Sequence, residues 1–171
     1  MITLIIGGIK SGKTNFALRS ALVLNKRNYY YIATAKAIDE EMIEKIKKHK
    51  EERGEKWITI EEPLDLTCAF REISENSSVV VDCMTTWITN LIVEERNIEF
   101  ETEIFLSLLS KFRKINQIHI FIVTNEVGMG VIPETFLGRK FLNITGIFNQ
   151  RLMEISDEAY FMIAGRELRI K

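Results

Sequence analysis

The sequence has few cysteines, histidines and prolines, two of each among 171 residues. Cys68 and Cys83 lie far apart and have neither C-x-x-C nor zinc-finger spacing, which excludes a disulfide scaffold and favours a reducing compartment. No apolar run approaches the length that crosses a bilayer, and the first residues lack the basic region of a signal peptide. We therefore expect a cytoplasmic protein with no membrane span.

An excess of either charge is also absent. Lys and Arg together number 23 and Asp and Glu 24, so the net charge is −1. This balance gives no electrostatic reason to expect a nucleic-acid partner. Hydrophobic residues make up 46% of the chain, enough for one buried core, and no linker, repeat or low-complexity tract divides it. We expect a single domain over residues 1–171.

What the chain does contain is an alternation of strand-like and helix-like segments. Several short runs are apolar at consecutive positions, which is typical of strands that helices cover on both faces. Such alternation predicts an α/β fold with a mostly parallel central sheet flanked by helices, and ligands bind such sheets beyond the carboxyl ends of the strands. The predicted strands are Ile2–Ile6, Tyr29–Thr34, Trp57–Ile60, Ser78–Cys83, His119–Thr124 and Ala159–Ala164.

The segments between these strands have helical features. Asp39 can cap a helix that runs to Arg53, and Gly54 is a suitable stop signal. Further helices are predicted around residues 101–114 and 134–156, because apolar side chains there recur on one helical face. The residues of these faces are Leu106, Leu109 and Phe112 in the first, and Phe141, Ile144, Phe148 and Leu152 in the second.

The segment GGIKSGKT matches the P-loop pattern G-x-x-x-x-G-K-[ST]. It follows a predicted strand and precedes a helix that begins near Lys13, so backbone N–H groups and the helix N-terminus can face a phosphate. Lys13 can reach the β- and γ-phosphates, and the Thr14 hydroxyl can ligate Mg²⁺. We predict a nucleotide site formed by Gly7, Gly8, Ile9, Lys10, Ser11, Gly12, Lys13 and Thr14.

The segment VVVDC is a natural partner of the P-loop. Three valines followed by Asp82 describe a buried strand that ends in a carboxylate, as expected of a residue that holds Mg²⁺ directly or through water. The pattern is weak by itself, because many buried strands end in an acidic residue. Together with the P-loop it favours a metal-binding role for Asp82.

The positions of the two histidines in the predicted fold indicate different roles for them. His119 opens a predicted strand and so lies at the amino end of the sheet, where a structural or surface position is expected. His49 lies in the predicted helix 39–53 beside Lys50, with Arg53 one turn further on. The local sequence allows two interpretations of His49, a residue at the solvated edge of a helix or an imidazole held among cations that bind a triphosphate.

Six segments, taken in order, closely resemble the bifunctional adenosylcobinamide kinase/adenosylcobinamide-phosphate guanylyltransferase family. The resemblance covers nearly the whole chain, and TNEVGMG and NQRL are more specific than the P-loop. It implies a RecA-like P-loop fold, assembly as a homotrimer, and two late reactions of coenzyme B12 synthesis. The segments are GGIKSGKT (7–14), YIAT (31–34), DEEMIEKIKKHKEER (39–53), TTWITNL (85–91), TNEVGMGVIPE (124–134) and GIFNQRL (146–152).

This family phosphorylates adenosylcobinamide with ATP or GTP and then joins GMP from GTP to the new phosphate, giving adenosylcobinamide-GDP. By position the resemblance implies that His49 attacks the α-phosphorus of GTP and carries GMP covalently. A neutral ring nitrogen is a competent nucleophile near neutral pH. The other implied nucleotide contacts, besides Gly7–Thr14, are Ala33, Thr34, Ala35, Lys50, Glu51, Glu52, Arg53, Glu61 and Asp82, with Mg²⁺ at Thr14 and Asp82.

Two details qualify what the resemblance implies. Many members of the family that the chain resembles carry Glu where this chain has Asp82, and the shorter side chain keeps the charge but changes its reach. The TNEVGMG segment follows a predicted strand on the ligand side, where it is expected to help form the corrinoid site.

Two other functions remain as alternatives. One is a P-loop kinase of another small metabolite in which His49 is inert. The other is a non-catalytic GTP-dependent switch, although the chain has no N-K-x-D tetrapeptide to recognise guanine.

Overall fold

The computed structural model describes residues 1–36, 44, 50, 53–115 and 117–171. Within this part of the chain, strands and helices alternate for the most part as the sequence predicts, except that two helices follow one another between residues 84 and 113 and two strands between residues 158 and 169. The strands are β1 (Ile2–Gly7), β2 (Asn28–Ala33), β3 (Trp57–Glu61), β4 (Ser77–Asp82), β5 (His119–Asn125), β6 (Glu158–Ile163) and β7 (Arg166–Arg169). The helices are α1 (Lys13–Val23), α2 (Leu66–Arg71), α3 (Met84–Val93), α4 (Ile98–Arg113) and α5 (Phe136–Ile155).

The described strands form one sheet in the order β3-β2-β4-β5-β1-β6-β7. All pairs are parallel except β6 with β7, which are antiparallel. Every residue of β1 is buried, and β4 and β5 are buried except at their last residue, which agrees with their continuous apolar sequences. The predicted α/β class with a mostly parallel sheet is therefore confirmed.

Helices cover both faces of this sheet. Ala17 and Ala21 of α1 pack on one face, in a cluster with Val80 of β4 and Phe121 of β5. On the other face α2 to α5 contribute a larger aromatic cluster, in which Trp87 contacts Phe105 at 5.4 Å and Phe148 at 5.8 Å between ring centroids. Burial of these large rings is a main source of stability on that face.

Helix starts follow from capping side chains. Asn97 accepts a hydrogen bond from the backbone N–H of Phe100 at 3.1 Å, so α4 begins three residues before the predicted Glu101. Thr135 caps α5 in the same way through Gly138, which places its start two residues after the predicted Glu134. The predicted helix Asp39–Arg53 falls outside the described residues except for Glu44, Lys50 and Arg53, whose backbone is helical.

Three elements were not predicted from the sequence. α2 has only six residues, too few to display a helical period. In α3 most residues are buried, Asn90 and Thr85 included, so the segment lacks the polar face that marks an amphipathic helix. β7 is exposed along its whole length and has no apolar run, and it forms because the turn at Ala164 and Gly165 takes positive φ angles of 48° and 80°.

The register of the sheet gathers the ends of the parallel strands at one edge. Ala33 is paired with Asp82 on one side and with Glu61 on the other. Across the next strands, Gly7 is paired with Asn125. The residues predicted from separate parts of the chain are thus brought to the carboxyl edge of one sheet, as the rule for such folds requires.

Among the described helices, none combines the length and the apolar character that would let it cross a membrane.

His119 lies at the opposite, amino edge of the sheet, as predicted. It is buried, its Nε2 is 2.8 Å from the hydroxyl of Thr3, and its ring stacks on Phe121 at 4.3 Å between centroids. Burial, helped by the nearby amino terminus and Lys26, lowers the pKa of His119 from 6.5 to about 4. The ring therefore stays neutral in the folded protein at physiological pH.

This pKa predicts acid sensitivity. The unfolded chain takes up a proton on His119 near pH 6.5 and the folded chain only near pH 4, so this contribution to the free energy of unfolding is complete above pH 6.5 and is lost as the pH falls to 4. The loss should reach about 3 kcal/mol at most. We expect His119→Gln, which can still accept a hydrogen bond from Thr3, to flatten that decline in urea unfolding measured from pH 7 to pH 4. Parallel curves for parent and variant would refute this account.

Candidate nucleotide site at the carboxyl edge of the sheet

The P-loop leaves β1 at Gly7 and enters α1 at Lys13. Any side chain at Gly7 would place its Cβ 2.5 Å from the carbonyl oxygen of Met162 on the neighbouring β6, so the close approach of these strands requires glycine. Gly12 has a φ of 97°, which favours glycine as well. The loop is closed by a hydrogen bond from the N–H of Ser11 to the carbonyl of Gly8 at 3.3 Å. The predicted P-loop conformation thus follows from its glycines.

Lys13 lies folded over this loop. The residue is only 7% exposed, and its Nζ donates to the carbonyl of Gly8 at 2.6 Å. Burial lowers the pKa of Lys13 from its usual value, while the charge of Asp82 acts in the opposite direction. An ammonium held in this position can pair with the terminal phosphates of a nucleotide bound in the loop.

Asp82, at the end of β4, is joined to the start of α1. The Thr14 hydroxyl donates to Asp82 Oδ2 at 2.7 Å, although 68 residues separate the two in sequence. A hydroxyl and a carboxylate side by side at a phosphate-binding loop are the hard oxygen donors that Mg²⁺ takes, with nucleotide phosphates and water completing its shell. Thr14 and Asp82 therefore fit the metal role predicted for them.

Tyr31 completes this cluster and was missed as a site residue in the sequence, where it was assigned to a strand and to the YIAT segment but given no role. Its hydroxyl donates to the same Asp82 Oδ2 at 2.8 Å. Burial and then the nearby Asp82 carboxylate raise the pKa of Tyr31 well above its ordinary value, so the phenol stays protonated as a donor. Strand periodicity gave only part of the signal: it places Tyr31 and Ala33 on one face of β2, whereas the pairing of Ala33 with Asp82 requires the register of the sheet.

The described part of segment 50–53 also lies at this edge. The guanidinium carbon of Arg53 lies 3.8 Å from the centre of the Tyr31 ring, and its Nη2 is 3.3 Å from the Thr59 hydroxyl. Lys50 Nζ lies 3.9 Å from Glu61 Oε1, an exposed pair that contributes little to stability. Arg53 is therefore in contact with the cluster of Asp82 through Tyr31, and Lys50 and Glu61 lie at the same edge at the end of β3. His49, Glu51 and Glu52 lie outside the described residues.

Thr34, a predicted nucleotide contact, directly follows β2. Its side-chain hydroxyl is hydrogen-bonded to the backbone at the carboxyl edge of the sheet. It donates to the carbonyl of Cys83 at 2.9 Å and accepts from the N–H of Cys83 at 2.8 Å. Asn90 of α3 donates to the Thr34 carbonyl at 2.8 Å and to the Pro63 carbonyl at 3.0 Å. These hydrogen bonds fix the backbone of Ala33 to Ala35 relative to Asp82, so Thr34 and Asn90 stabilise the arrangement of the site.

A second buried network continues across β5. The Thr124 hydroxyl donates to Asn149 Oδ1 at 2.9 Å, and Asn149 Nδ2 donates to the Asn125 carbonyl at 3.1 Å. Asn125 Nδ2 in turn donates to the Thr85 hydroxyl at 2.8 Å. The segments TTWITNL, TNEVGMG and NQRL, distant in sequence, are therefore joined by their polar side chains, and this explains their place beside the site.

A cleft of about 470 Å³ opens on the other side of the P-loop. Its walls combine apolar side chains with one carboxylate, that of Glu126. Two of its apolar lining residues, Ile9 and Met129, are 84% and 80% exposed. The lining residues are Gly8, Ile9, Lys10, Ser11, Glu126, Met129, Phe161, Met162, Ile163 and Ala164. A ligand with an apolar surface could thus lie directly against the phosphate-binding loop.

The contacts of Asp82 predict that Asp82→Asn keeps the fold but loses the metal. The amide oxygen can still accept from Thr14 and Tyr31, whereas the negative charge that offsets Mg²⁺ is gone. We expect the factor by which Mg²⁺ tightens nucleotide binding to fall roughly tenfold, as charge-assisted contacts of this kind allow. Calorimetric titrations with and without Mg²⁺ measure this factor.

Asp157→Asn is the matched control, because Asp157 accepts from the N–H of Ile2 at the amino edge, away from the loop. If the metal titration curves of Asp82→Asn and of the parent protein coincide, Asp82 has only a structural role at the end of its strand.

Comparison with known proteins agrees with this geometry. The crystal structure of the RadB recombinase matches with a TM-score of 0.54 and 17% identity, covering 94% of this chain and 73% of that one. At this identity the likeness concerns the fold alone, and it agrees with the predicted RecA-like fold.

Sequence comparison is more specific. The bifunctional adenosylcobalamin biosynthesis protein CobU of Salmonella typhimurium is 33% identical over 188 residues, and the alignment covers both chains fully. The corresponding CobP protein of Pseudomonas aeruginosa is 35% identical over 178 residues, covering all of this chain and 98% of that protein. The family model described as cobinamide kinase / cobinamide phosphate guanyltransferase matches residues 3–170. The chain therefore belongs to the cobinamide kinase / cobinamide phosphate guanyltransferase family.

Proposed function

We propose that this protein phosphorylates adenosylcobinamide with ATP or GTP and then transfers GMP from GTP to the new phosphate through a histidine-GMP intermediate. The observation that carries the proposal is the family match over residues 3–170 in a chain whose Lys13, Thr14 and Asp82 are assembled at one P-loop. The product is adenosylcobinamide-GDP, an intermediate in assembly of the nucleotide loop of coenzyme B12.

In the kinase reaction the P-loop holds the nucleotide phosphates. The hydroxyl oxygen of the substrate forms a bond to the γ-phosphorus while the bond between that phosphorus and the β–γ bridging oxygen breaks, and the hydroxyl proton is released. Lys13, which is fixed over the loop, stabilises charge on the terminal phosphate. Thr14 and Asp82 would hold Mg²⁺, which supplies charge neutralisation on the β- and γ-phosphates when bound.

In the guanylyl reaction His49 is the nucleophile. Its ring nitrogen forms a bond to the α-phosphorus of GTP while the bond to pyrophosphate breaks, and pyrophosphate leaves. A phosphate oxygen of adenosylcobinamide phosphate then takes the GMP group, which breaks the P–N bond and restores neutral His49. The proposal is supported by the positions of Lys50 and Arg53, the described neighbours of His49 in sequence, at the carboxyl edge of the sheet.

The same positions support the remaining nucleotide contacts. We place guanine-nucleotide contacts at Ala33 to Ala35, at Lys50 to Arg53 with Glu51 and Glu52 included, and at Glu61 and Asp82. Arg53 lies on the ring of Tyr31, whose hydroxyl binds Asp82, and Lys50 lies beside Glu61, which favours one continuous site. Assembly as a homotrimer and the absence of a nucleic-acid partner belong to the proposal as well.

The cleft beside the P-loop suits the acceptor of the kinase reaction. A hydroxyl that attacks the γ-phosphorus must approach the loop from outside, and Gly8, Lys10 and Ser11 form one wall of this cleft. The exposed side chains of Ile9 and Met129 offer apolar contact to a large macrocycle. Adenosylcobinamide could therefore rest there with its aminopropanol arm directed to the phosphates.

This placement predicts that Met129→Gln raises the KM for adenosylcobinamide several-fold, since it removes apolar contact, and leaves the KM for the nucleotide unchanged. Val93→Gln is the control, because Val93 is 71% exposed but lies at the end of α3, outside the cleft. Steady-state kinase assays at varied acceptor concentration, with sedimentation analysis of each variant, test it. If the KM for adenosylcobinamide is unchanged, or if the variant instead changes its oligomeric state, Met129 does not contact the acceptor as proposed.

The histidine-GMP intermediate is tested by His49→Ala. The parent should retain label from α-labelled GTP after denaturation, and a phosphoramidate should lose that label in acid and keep it in base. Pyrophosphate should discharge the label, because the reaction is reversible. The variant should take up no label, yet it should still convert adenosylcobinamide to its phosphate, because phosphoryl transfer needs chiefly the P-loop, Mg²⁺ and a positioned hydroxyl.

His119→Gln is the control and should label like the parent, since His119 lies at the opposite edge of the sheet. Label that persists in His49→Ala, or that disappears in His119→Gln, would show that the nucleophile is another residue.

A further inference from the structure

Tyr31 lies where the metal-binding carboxylate and the end of segment 50–53 meet. The side chain is almost fully buried, with 6% of the residue exposed. Its hydroxyl donates a hydrogen bond to Asp82, and its ring packs against the guanidinium of Arg53. Two different parts of one side chain therefore contact two different residues of the site. Neither the P-loop motif nor the family motifs assign it a role.

The hydroxyl of Tyr31 determines how Asp82 is presented. Asp82 Oδ2 accepts from both Thr14, at 2.7 Å, and Tyr31, at 2.8 Å. Two donors on one oxygen hold the carboxylate in one rotamer and direct its other oxygen away from both of them. A short Asp side chain at this position needs such support, because its reach toward a metal is fixed by its orientation.

The ring of Tyr31 provides a platform for Arg53. The guanidinium carbon lies 3.8 Å from the ring centre, and Trp57 packs edge-on against the ring from β3 at 6.4 Å between centroids. Arg53 also donates to the Thr59 hydroxyl at 3.3 Å. A planar guanidinium on an aromatic face is a directional contact that lysine does not reproduce.

We infer that Tyr31 is a positioning residue that links the two reactions, holding Asp82 through its hydroxyl and Arg53 through its ring. The inference rests on the proposed function, in which Asp82 serves the metal and Arg53 belongs to the guanylyl-transfer segment. Because the two contacts use different atoms, substitutions can separate them.

The hydroxyl contact is tested with Tyr31→Phe, which keeps the ring. We expect the factor by which Mg²⁺ tightens binding of a non-hydrolysable GTP analogue to fall about fivefold to tenfold, as the loss of a hydrogen bond to a charged group allows. Affinity measured without Mg²⁺ and the KM for adenosylcobinamide are the references that separate a loss of metal response from a general loss of binding, and thermal unfolding shows whether the variant is folded. Calorimetry measures the binding terms without any turnover.

Tyr30→Phe is the matched control. Tyr30 is the preceding residue of β2, is equally buried and donates or accepts a comparable hydrogen bond with the Ser74 hydroxyl at 3.0 Å, but it lies on the other face of the sheet. This variant should retain the parental response to Mg²⁺. A Tyr31→Phe variant that behaves like Tyr30→Phe would overturn the hydroxyl role.

The ring contact is tested with Tyr31→Leu and with Arg53→Lys. Both should slow covalent labelling by α-labelled GTP severalfold beyond any effect of Tyr31→Phe, because the cation loses its aromatic platform or its planar shape. Arg53→Lys should leave the Mg²⁺ response intact. Parental labelling rates in both variants would overturn the ring role.

The calorimetric binding measurements also distinguish failure of this inference from failure of the proposed function. A parent that never labels refutes the histidine-GMP mechanism, yet its nucleotide binding still reports whether Tyr31 controls the metal response. An unchanged metal response in Tyr31→Phe, with a parent that labels normally, refutes only the inference.

Discussion

Parallel strand register is the constraint on which this site depends. Residues from β1, β2, β3, β4 and β5 reach the same edge only because each pair of strands is aligned as it is, with Ala33 opposite both Asp82 and Glu61 and with Gly7 opposite Asn125. A slip of one residue in β4 would turn Asp82 to the opposite face, away from Thr14. The apolar run from Val79 to Val81, buried on both faces, makes such a slip costly, so the hydrophobic core and the chemistry are fixed by the same contacts.

The polar residues of the family motifs have a structural explanation. Asn90, Asn125 and Asn149 have side chains that bond to backbone carbonyls or to hydroxyls next to the site. Buried amides of this kind are costly unless their partners are in place, so each one stabilises a single arrangement of the elements it joins. The motifs therefore help to determine the shape of the sheet edge, while Lys13, Thr14 and Asp82 are among the residues that we propose to face the nucleotide phosphates.

The parts that could be predicted from the sequence are those whose physical cause is local. The P-loop, the buried strand before Asp82 and the apolar faces of α4 and α5 each need only neighbouring residues to be recognised. Tyr31 could not be assigned to the site in this way, because its contact with Asp82 spans 51 residues and exists only once the register is known. The boundaries of α4 and α5 shifted because single capping residues outweigh the periodicity of a face. The nucleophilic role of His49 remains a prediction, since the residue lies outside the described part of the chain.

The close contact of Gly7 with Met162 has a consequence for how one loop can serve two reactions. The loop is held to the sheet on both sides, by the bond from the N–H of Glu126 to the Gly7 carbonyl at 3.0 Å and by that from the N–H of Gly165 to the Ser11 carbonyl at 2.9 Å. A phosphate-binding loop anchored in this way holds bound phosphates at one fixed position relative to the sheet. In the proposed function, the kinase and guanylyl reactions would then differ in the groups that are brought to this fixed loop.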